Sequence, residues 1–317
     1  MSGSPLRVGT RASALALWQA QHVAAQLAGR PGAPAIELVH IRTQGDVQSE
    51  VPLWQVGGRA FFTREIDRAL IEGTVDVAVH SLKDLSTQLE PGLTLAATLP
   101  RADPRDALVS RSGAALGALP AGARIGTSSL RRRAFLAGLR PDAVPLELRG
   151  NVPTRIERLR RGDYDAIVLA AAGLARLGLA AEVSEYLDPQ SFPPAVAQGV
   201  IGVCARADDT RTRALLAVLD DPETRLASSA ERALLERLEG GCQVPLGALA
   251  TVHGGTLTLS ACVCARDGQR RLVARGSAPA VPAQAAALGS QVADELLARG
   301  AAELIREQRE ALRVEEP

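Results

Sequence analysis

The hydrophobic pattern of the chain predicts short strands that each turn into an amphipathic helix. Residues 7–28 begin with a short apolar strand, turn at a Gly-Thr pair and continue with apolar positions at helical spacing. Residues 124–139 repeat this arrangement, again with Gly-Thr at the turn. Hydroxyl residues follow the turns, Ser13 in the first copy and Ser128 and Ser129 in the second, where a helix N-cap is expected.

A second pair of segments is also similar. Residues 73–81 (GTVDVAVHS) and 162–170 (GDYDAIVLA) both place a glycine three residues before an aspartate that opens an apolar strand. The first pair is offset by 117 residues and the second by 89, so the first copy carries 28 extra residues. We expect these around 51–67, where Gly57 and Gly58 favour a mobile loop that runs into a helix.

The duplicated pattern predicts two α/β lobes that face a shared cleft. The chain would cross between the lobes near 98–106 and return near 192–200. Ligands of open α/β sheets bind beyond the carboxyl ends of the strands, and paired lobes can close over them by a hinge motion. We therefore place the candidate site at the strand-to-helix turns.

The pattern changes after about residue 218. A helix over 227–241 ends at a double glycine, an alternating strand covers 256–265, and a second strand and a helical segment over 283–313 follow. This predicts a small α+β domain. The expected domains are a first lobe of 1–99 with 198–217, a second lobe of 100–197 and a third domain of 218–317.

Charge is unevenly distributed along the chain. The net charge is only +1, yet residues 124–161 hold ten arginines against three acids, a local net charge of +7. Nucleic acid is one possible partner of such a segment. Single-strand binders, however, interleave aromatic residues with basic ones, and Phe135 is the one aromatic residue here. Small ligands with several negative charges fit the segment better.

Composition indicates a protein of the reduced cytoplasm. The chain of 317 residues (33.1 kDa) is 46% apolar, but its apolar runs are shorter than the roughly 20 residues of a membrane span. The first residues lack the pattern of a secretory signal. The four cysteines form no Cys-x-x-Cys motif, so we expect neither a disulfide framework nor a metal site.

Two residues stand out against an arginine-rich background. Lys83 is the sole lysine beside 35 arginines, and Asn151 is the sole asparagine.

Helix N-termini attract anions, and arginine binds carboxylates with two parallel hydrogen bonds. The candidates at the predicted turns are Arg11, Ser13, Thr127, Ser129, Arg131, Arg132, Arg149 and Arg155. For four other arginines we prefer the alternative that they are solvated on helix faces: Arg133, Arg158, Arg160 and Arg161.

Cys242 lies in the glycine-rich stretch LEGGCQVPLG after the predicted helix. Its thiol is a candidate nucleophile or attachment point, and a buried inert thiol is the equally weighted alternative. Cys262 and Cys264 alternate on one strand and are expected in the core. The chain has neither a Walker phosphate loop nor a G-x-G-x-x-G turn after its first strand, so a nucleotide cofactor has no support.

Seven ordered motifs resemble those of the porphobilinogen deaminase (hydroxymethylbilane synthase) family over essentially the whole chain. They are GTRASALALWQ (9–19), DVAVHSLKDL (76–85), DPRDALVS (103–110), IGTSSLRRRA (125–134), LRGNVPTRIERL (148–159), YDAIVLAAAGLARLG (164–178) and ERALLERLEGGCQVPLGA (231–248). The chain departs from the family at Ala14 and Ser86, where proline is usual, at Ala197, where glycine is usual, and at Arg59, Ala60 and Cys204.

The resemblance implies an enzyme of tetrapyrrole (haem) biosynthesis. Its fold would be two periplasmic-binding-protein-like α/β lobes and a small C-terminal α+β domain. It would be a cytoplasmic monomer that joins four porphobilinogen molecules head to tail into hydroxymethylbilane and releases ammonia each time. Loss of ammonia leaves a cationic azafulvene that the preceding pyrrole attacks. The resemblance implies no partner among nucleic acids or membranes.

The resemblance also implies roles for individual residues. A dipyrromethane cofactor would be attached through Cys242, and Asp84 would be the catalytic carboxylate beside the pyrrole nitrogens. The residues that contact cofactor or substrate carboxylates would be Arg11, Ser13, Ser81, Lys83, Thr127, Ser129, Arg131, Arg132, Arg149, Arg155 and Arg176. Because every porphobilinogen carries an acetate and a propionate, the growing chain accumulates carboxylates, which suits a cleft lined by cations.

Overall fold

The computed structural model describes residues 4–30, 32–43, 63–238 and 244–314, and the structural statements below concern these ranges. The strands are β1 (Leu6–Thr10), β2 (Ile36–His40), β3 (Val77–Ser81), β4 (Leu93–Thr98), β5 (Asp106–Ser110), β6 (Arg124–Gly126), β7 (Val144–Leu146), β8 (Ala166–Ala170), β9 (Glu185–Tyr186), β10 (Ile201–Arg206), β11 (Leu246–His253), β12 (Thr256–Cys264) and β13 (Arg271–Pro279). The helices are α1 (Ala14–Ala28), α2 (Arg64–Ile71), α3 (Leu130–Leu139), α4 (Val152–Arg160), α5 (Ala171–Arg176), α6 (Thr210–Leu216), α7 (Pro222–Arg237), α8 (Pro282–Ala298) and α9 (Ala301–Val314).

Two five-stranded sheets share one design. The first has the order β2-β1-β3-β10-β4 and the second the order β7-β6-β8-β5-β9. In each sheet three parallel strands lie beside a fourth, antiparallel strand. That fourth strand adjoins a crossing between the sheets: β5 follows the outgoing crossing and β10 follows the return. Together with the third, smaller sheet, this confirms the predicted fold class.

The two lobes also share an arginine–aspartate ion pair at matching positions. Arg7 on β1 pairs with Asp76 at 2.8 Å and donates to the carbonyl of Gly73. Arg124 on β6 pairs with Asp165 at 3.2 Å and donates to the carbonyl of Gly162. In both copies the arginine side chain closes the turn that leads into the neighbouring parallel strand, which accounts for the repeated Gly-x-x-Asp spacing.

The third sheet is an antiparallel meander, β11-β12-β13, covered by α7 and α8. The two helices approach closely: a Cβ added at Gly289 on α8 would lie 2.2 Å from the carbonyl oxygen of Ala230 on α7. Apolar residues of this unit share a core with the first lobe, while Cys262 and Cys264 pack into the core of the second. The third unit therefore touches both lobes.

The structure corrects the predicted elements of this unit in two places. Strand β11 was not predicted, so the sheet has three strands instead of two. The helical segment predicted over 283–313 is two helices, because Gly300 takes a left-handed conformation (φ +95°) between them. Residues 239–243 and most of the predicted loop 51–67 lie outside the described residues. None of the described helices is long and apolar enough to cross a membrane.

The two crossings meet on one buried carboxylate, that of Glu231 on α7. Glu231 Oε1 lies 2.5 Å from Nη1 of Arg101, which belongs to the outgoing crossing. Glu231 also accepts hydrogen bonds from the backbone N–H of Ala197 on the return crossing and of Ala250 on β11. Both carboxylate oxygens are thus paired, as a fully buried charge requires.

Ala197 occupies a backbone conformation that favours glycine. Its φ is +57°, and among the described residues it is the one non-glycine with a positive φ. The left-handed region costs an L-residue about 1–2 kcal/mol. The hydrogen bond from its N–H to Glu231, 2.6 Å long, holds the return crossing in this conformation. A glycine, which the sequence resemblance implies as the usual residue here, takes this conformation without that cost.

We expect Glu231→Gln to destabilise the protein by about 3–5 kcal/mol, because it leaves Arg101 without its counter-charge and turns an amide N–H₂ toward backbone donors. The unfolding midpoint in urea measures this. Glu295→Gln removes an exposed partner of Arg299 and should shift stability by less than about 1 kcal/mol. Equal midpoints for the two variants would contradict a special role for Glu231.

Candidate active site

Asp84 is presented by a short turn directly after β3. Residues Leu82–Asp84 form one turn of 3₁₀ helix, and Leu82 is buried beneath it. The N–H of Leu82 donates to the carbonyl of Val200 at 3.0 Å, which ties the turn to the return crossing. Asp84 is exposed. The apolar anchor and the backbone bond hold the turn while the carboxylate faces outward.

Arg232 on α7 holds the residues that follow this turn. Its guanidinium donates to three consecutive carbonyls, those of Leu85 at 3.1 Å, Ser86 at 2.6 Å and Thr87 at 3.2 Å. Because α7 precedes the Gly-Gly-Cys stretch, one helix supports the Asp84 turn and leads to Cys242. Nothing local in the sequence indicates this contact, since Arg232 has the pattern of an ordinary helix-face arginine.

Lys83 lies among charges of both signs. Burial, with the positive charges of Arg131 and Arg132, lowers the pKa of Lys83 to about 8, while Asp84 and Asp106 act in the opposite direction. Its ammonium is therefore poorly solvated and lies near the second lobe, which contributes both arginines. A desolvated cation of this kind is suited to an anionic ligand.

Three helices begin next to the site, each with a capped first turn. Ser13 caps α1, Ser129 caps α3 and Asn151 caps α4, by accepting hydrogen bonds from backbone N–H groups. The predicted caps at Ser13 and Ser129 are confirmed, and the lone asparagine is explained as a third cap. Ser128 instead donates to the carbonyl of Leu148. A capping hydroxyl that accepts from the backbone keeps its own O–H for a carboxylate.

Two predicted site hydroxyls also have neighbours within the protein. Thr127 Oγ1 accepts from the N–H of Ser129 at 3.2 Å. Ser81 exchanges hydrogen bonds with the side chain of Gln19, at 2.9 and 3.3 Å. Gln19 is buried on α1 and fixes the Ser81 hydroxyl at the end of β3. Gln19 ends the first of the ordered motifs, but nothing local in the sequence marks it as a partner of Ser81.

Arg131 and Arg132 are buried around Asp106. Arg131 pairs with Asp106 at 2.7 Å and donates to the carbonyl of Pro193. Arg132 pairs with the same carboxylate at 2.6 Å and donates to the carbonyl of Val168. Burial alone would raise the pKa of Asp106, but the two arginines lower it to about 2. Much of their hydrogen-bonding capacity is thus used by the fold, a constraint that sequence analysis did not anticipate.

Arg155 and Arg176 differ from that buried pair. Burial lowers the pKa of each to about 10, and for Arg155 the charges of Arg132 and Arg149 add to the effect. Each donates to one backbone carbonyl, Arg155 to Gly150 and Arg176 to Gly199. Neither forms an ion pair with a carboxylate of the described residues. Asp84 is close enough to Arg155 for its charge to raise the pKa of that arginine.

Other predicted residues occupy the edge of this cluster. Burial lowers the pKa of Arg149, against the charge of Glu147. Arg11 lies beyond β1 near His80, whose pKa is lowered to about 4 by burial and by that arginine. His80 is therefore neutral at pH 7. The structure thus brings Asp84, Lys83, Arg132, Arg149 and Arg155 together, while Arg176 has no cationic neighbour that shifts its pKa.

The arginines expected on solvated faces are mostly ion-paired. Arg160 pairs with Glu182 and Arg161 with Asp163, and both are well exposed, as predicted. Arg133 and Arg158 are less exposed than expected: Arg133 pairs with Glu147, and Arg158 pairs with Asp163 and lies over the ring of Tyr164. No group of three or more His, Cys, Asp or Glu residues in the described ranges could hold a metal ion.

Comparison with known proteins gives the family. A profile described as "Porphobilinogen deaminase, dipyromethane cofactor binding domain" matches residues 6–214, and one described as "Porphobilinogen deaminase, C-terminal domain" matches residues 225–298. The porphobilinogen deaminase of Syntrophotalea carbinolica is 51% identical over 301 residues, 95% of each chain. That of a Roseiflexus species is 52% identical over 95% of this chain and 98% of the relative. The chain belongs to the porphobilinogen deaminase family.

Membership of the porphobilinogen deaminase family establishes the reaction. The chain is an enzyme that polymerises porphobilinogen into hydroxymethylbilane in tetrapyrrole biosynthesis, and it uses a dipyrromethane cofactor. Among solved structures, a Bordetella pertussis solute receptor binding pyroglutamic acid is 15% identical, covering 97% of this chain and 100% of that chain with a TM-score of 0.41.

The described residues fit a dipyrromethane. A unit of two pyrroles that each carry an acetate and a propionate presents several carboxylates, and the site offers desolvated cations with unused donors. The exposed carboxylate of Asp84 lies among these cations, where pyrrole N–H donors could reach it. Cys242, predicted as the attachment point, lies outside the described residues.

Arg155→Met should raise the stability of the cofactor-free protein by about 1–2 kcal/mol, because it removes a partly buried, desolvated charge that has no ion-pair partner among the described residues. The same change should weaken binding of pyrrole carboxylates. Thermal unfolding and cofactor content by Ehrlich colour measure the two effects. Arg160→Met, an exposed change on the same helix, should alter neither by much. A lower unfolding midpoint for Arg155→Met would show that Arg155 is structural.

Proposed function

We propose that Asp84 is the catalytic carboxylate of porphobilinogen condensation. Loss of ammonia from the substrate leaves a positive charge that spreads onto the pyrrole nitrogen. A carboxylate fixed beside that nitrogen stabilises the charge and can assist proton transfer. The observation that carries the proposal is the placement of Asp84: it is exposed on a turn that Leu82 and Arg232 hold, among cations suited to the substrate's carboxylates.

We propose that the cations and hydroxyls around Asp84 bind the acetate and propionate groups. The set is Arg11, Ser13, Ser81, Lys83, Thr127, Ser129, Arg131, Arg132, Arg149, Arg155 and Arg176. Support is strongest for Lys83, Arg155 and Arg176, whose desolvation is unfavourable unless an anion binds. For Arg131 and Arg132 the proposal is narrower: Asp106 holds their guanidinium groups, so they act through their remaining donors and their net positive charge.

Cys242 is the proposed attachment residue of the dipyrromethane. When bound, that group supplies the first pyrrole to which substrate is joined. The other three cysteines, Cys204, Cys262 and Cys264, are buried, and burial raises the pKa of each thiol, to about 12 for Cys204 and Cys264. Buried thiols of this kind are poor nucleophiles, which leaves Cys242 as the better candidate.

The arginine-rich segment supports a small ligand and not a nucleic acid. Most of its arginines are engaged in ion pairs: Arg124, Arg131, Arg132, Arg133, Arg140, Arg158, Arg160 and Arg161. A nucleic-acid surface needs a continuous face of available cations.

We propose that the protein acts as a cytoplasmic monomer, with the predicted domain boundaries at residues 99, 197 and 217.

The roles of Asp84 and Cys242 can be separated with two variants. Asp84→Asn should fold, keep the mass of a covalent dipyrromethane and lose at least about a hundredfold in hydroxymethylbilane formation, because it deletes the stabilising charge. Cys242→Ala should lack the added mass. Intact-mass measurement and a turnover assay report both. Wild-type turnover by Asp84→Asn, or the adduct persisting in Cys242→Ala, would disprove the respective role.

Lys83 should impose a pH dependence on ligand binding. In the cofactor-free protein its ammonium loses a proton as the pH rises through about 8, so affinity for a carboxylate ligand should fall above that pH. The probe is a pyrrole with acetate and propionate groups but no aminomethyl group, measured by calorimetry at pH 7 and 9. We expect about a tenfold loss.

Lys83→Arg is the matched control, because arginine stays charged over this range. Its affinity should be nearly constant between pH 7 and 9. Its turnover should fall, because a planar guanidinium next to Asp84 can clamp that carboxylate with two hydrogen bonds. An unchanged pH dependence in Lys83→Arg would assign the titration to another group, and wild-type turnover would make the sole lysine an accident of composition.

A further inference from the structure

The two lobes touch through α1 and α5 beside the site. A Cβ added at Gly173 on α5 would lie 3.6 Å from Cδ2 of Leu15 on α1, so the helices are close at that point. One turn further along, Trp18 on α1 meets Arg176 on α5: the guanidinium carbon of Arg176 is 5.8 Å from the centroid of the Trp18 ring. Leu15 and Trp18, like Gly173 and Arg176, are three residues apart and share a helix face.

Trp18 is itself restrained. Its ring stacks on that of His22, one turn along α1, with centroids 4.9 Å apart and planes inclined by 12°. His22 in turn contacts Gln26 at 2.9 Å. The indole also packs against the core of the first lobe. It therefore presents a fixed aromatic face to the opposite lobe.

Arg176 makes one hydrogen bond and one ring contact in the described residues, and its other N–H donors are not used in hydrogen bonds there. Nη2 donates to the carbonyl of Gly199 at 2.7 Å, and the same carbonyl accepts from the N–H of Ala102 on the other crossing. A guanidinium has five N–H donors, and this is the one hydrogen bond that Arg176 makes within the described residues. One hydrogen bond leaves such a group able to rotate, and an aromatic face beneath it limits that rotation.

We propose that Trp18 is a positioning residue for substrate carboxylates. Its indole, from the first lobe, orients the guanidinium of Arg176, from the second, so that the remaining donors face a carboxylate of the pyrrole chain in the cleft. Anion binding by Arg176 is thereby coupled to the contact between the lobes. The inference rests on the proposed role of Arg176 as a carboxylate ligand.

The test compares Trp18→Leu, Trp18→Phe, Arg176→Leu and the double variant Trp18→Leu/Arg176→Leu. The first readout is the dissociation constant of the holoenzyme for the unreactive pyrrole that carries acetate and propionate groups but no aminomethyl group, by calorimetry. The second is the division of any activity loss between KM and kcat. Tyr186→Leu is the control, because it removes another ring under an arginine, Arg105 at 4.4 Å, on an edge strand.

Trp18→Leu should raise the dissociation constant and KM by about five- to tenfold with kcat within about twofold. Trp18→Phe should recover most of the affinity, since it keeps an aromatic face. The double variant should bind no more weakly than Arg176→Leu alone, and Tyr186→Leu should bind normally. If Trp18→Leu does not fold, Trp18→Met serves in the same comparisons.

Two results would overturn the proposal. One is normal affinity in Trp18→Leu while Arg176→Leu binds weakly, which leaves the role of Arg176 intact and removes that of Trp18. The other is an equal loss from Trp18→Leu in the presence and absence of Arg176, which would mean that the indole acts on the ligand or on the fold directly. Normal binding by Arg176→Leu itself would instead reject the carboxylate role proposed for that arginine.

Discussion

The buried carboxylate of Glu231 is the constraint on which the arrangement of the three parts depends. A charge removed from water must be fully paired, and its partners here come from the outgoing crossing, the return crossing and β11. The same helix, α7, holds the residues after Asp84 through Arg232. Two adjacent residues of one helix, Glu231 and Arg232, therefore hold the two crossings, β11 and the candidate catalytic turn relative to one another.

Two physical classes can be distinguished among the arginines of the described residues. Arg131 and Arg132 around Asp106, and surface arginines such as Arg160, form ion pairs with protein carboxylates and contribute to the fold. Arg155 and Arg176 are desolvated without such a partner in the described residues, at a cost in stability that a carboxylate would offset in the proposed function. A net charge of +1 is thus compatible with a strongly cationic cleft, because the compensating acids lie elsewhere.

The lobes share a backbone design but divide the chemistry. Each lobe has the same arginine–aspartate ion pair beside its parallel strands. The first lobe contributes Asp84 and Lys83, whereas the second contributes most of the arginines. With the binding residues proposed above, ligand binding requires both lobes together. The contact of Trp18 with Arg176 between α1 and α5 is one place where the proposed requirement would act on a single side chain.

Local pattern determined the repeat, its matching strands and two of the helix caps, because these depend on neighbouring residues: Ser13 and Ser129 cap the helices they precede, and the Gly-x-x-Asp spacing predicted matching strands in both lobes. It did not predict β11 or the cap at Asn151. The ordered motifs predicted the family and indicated Asp84 as the candidate catalytic carboxylate. Tertiary structure alone decided which arginine meets which acid. Arg131 and Arg132 are adjacent to other arginines in sequence, yet their partner is Asp106, and Arg232 meets the Asp84 turn across 145 to 147 residues. Such pairings follow from how elements pack, which no local spacing encodes.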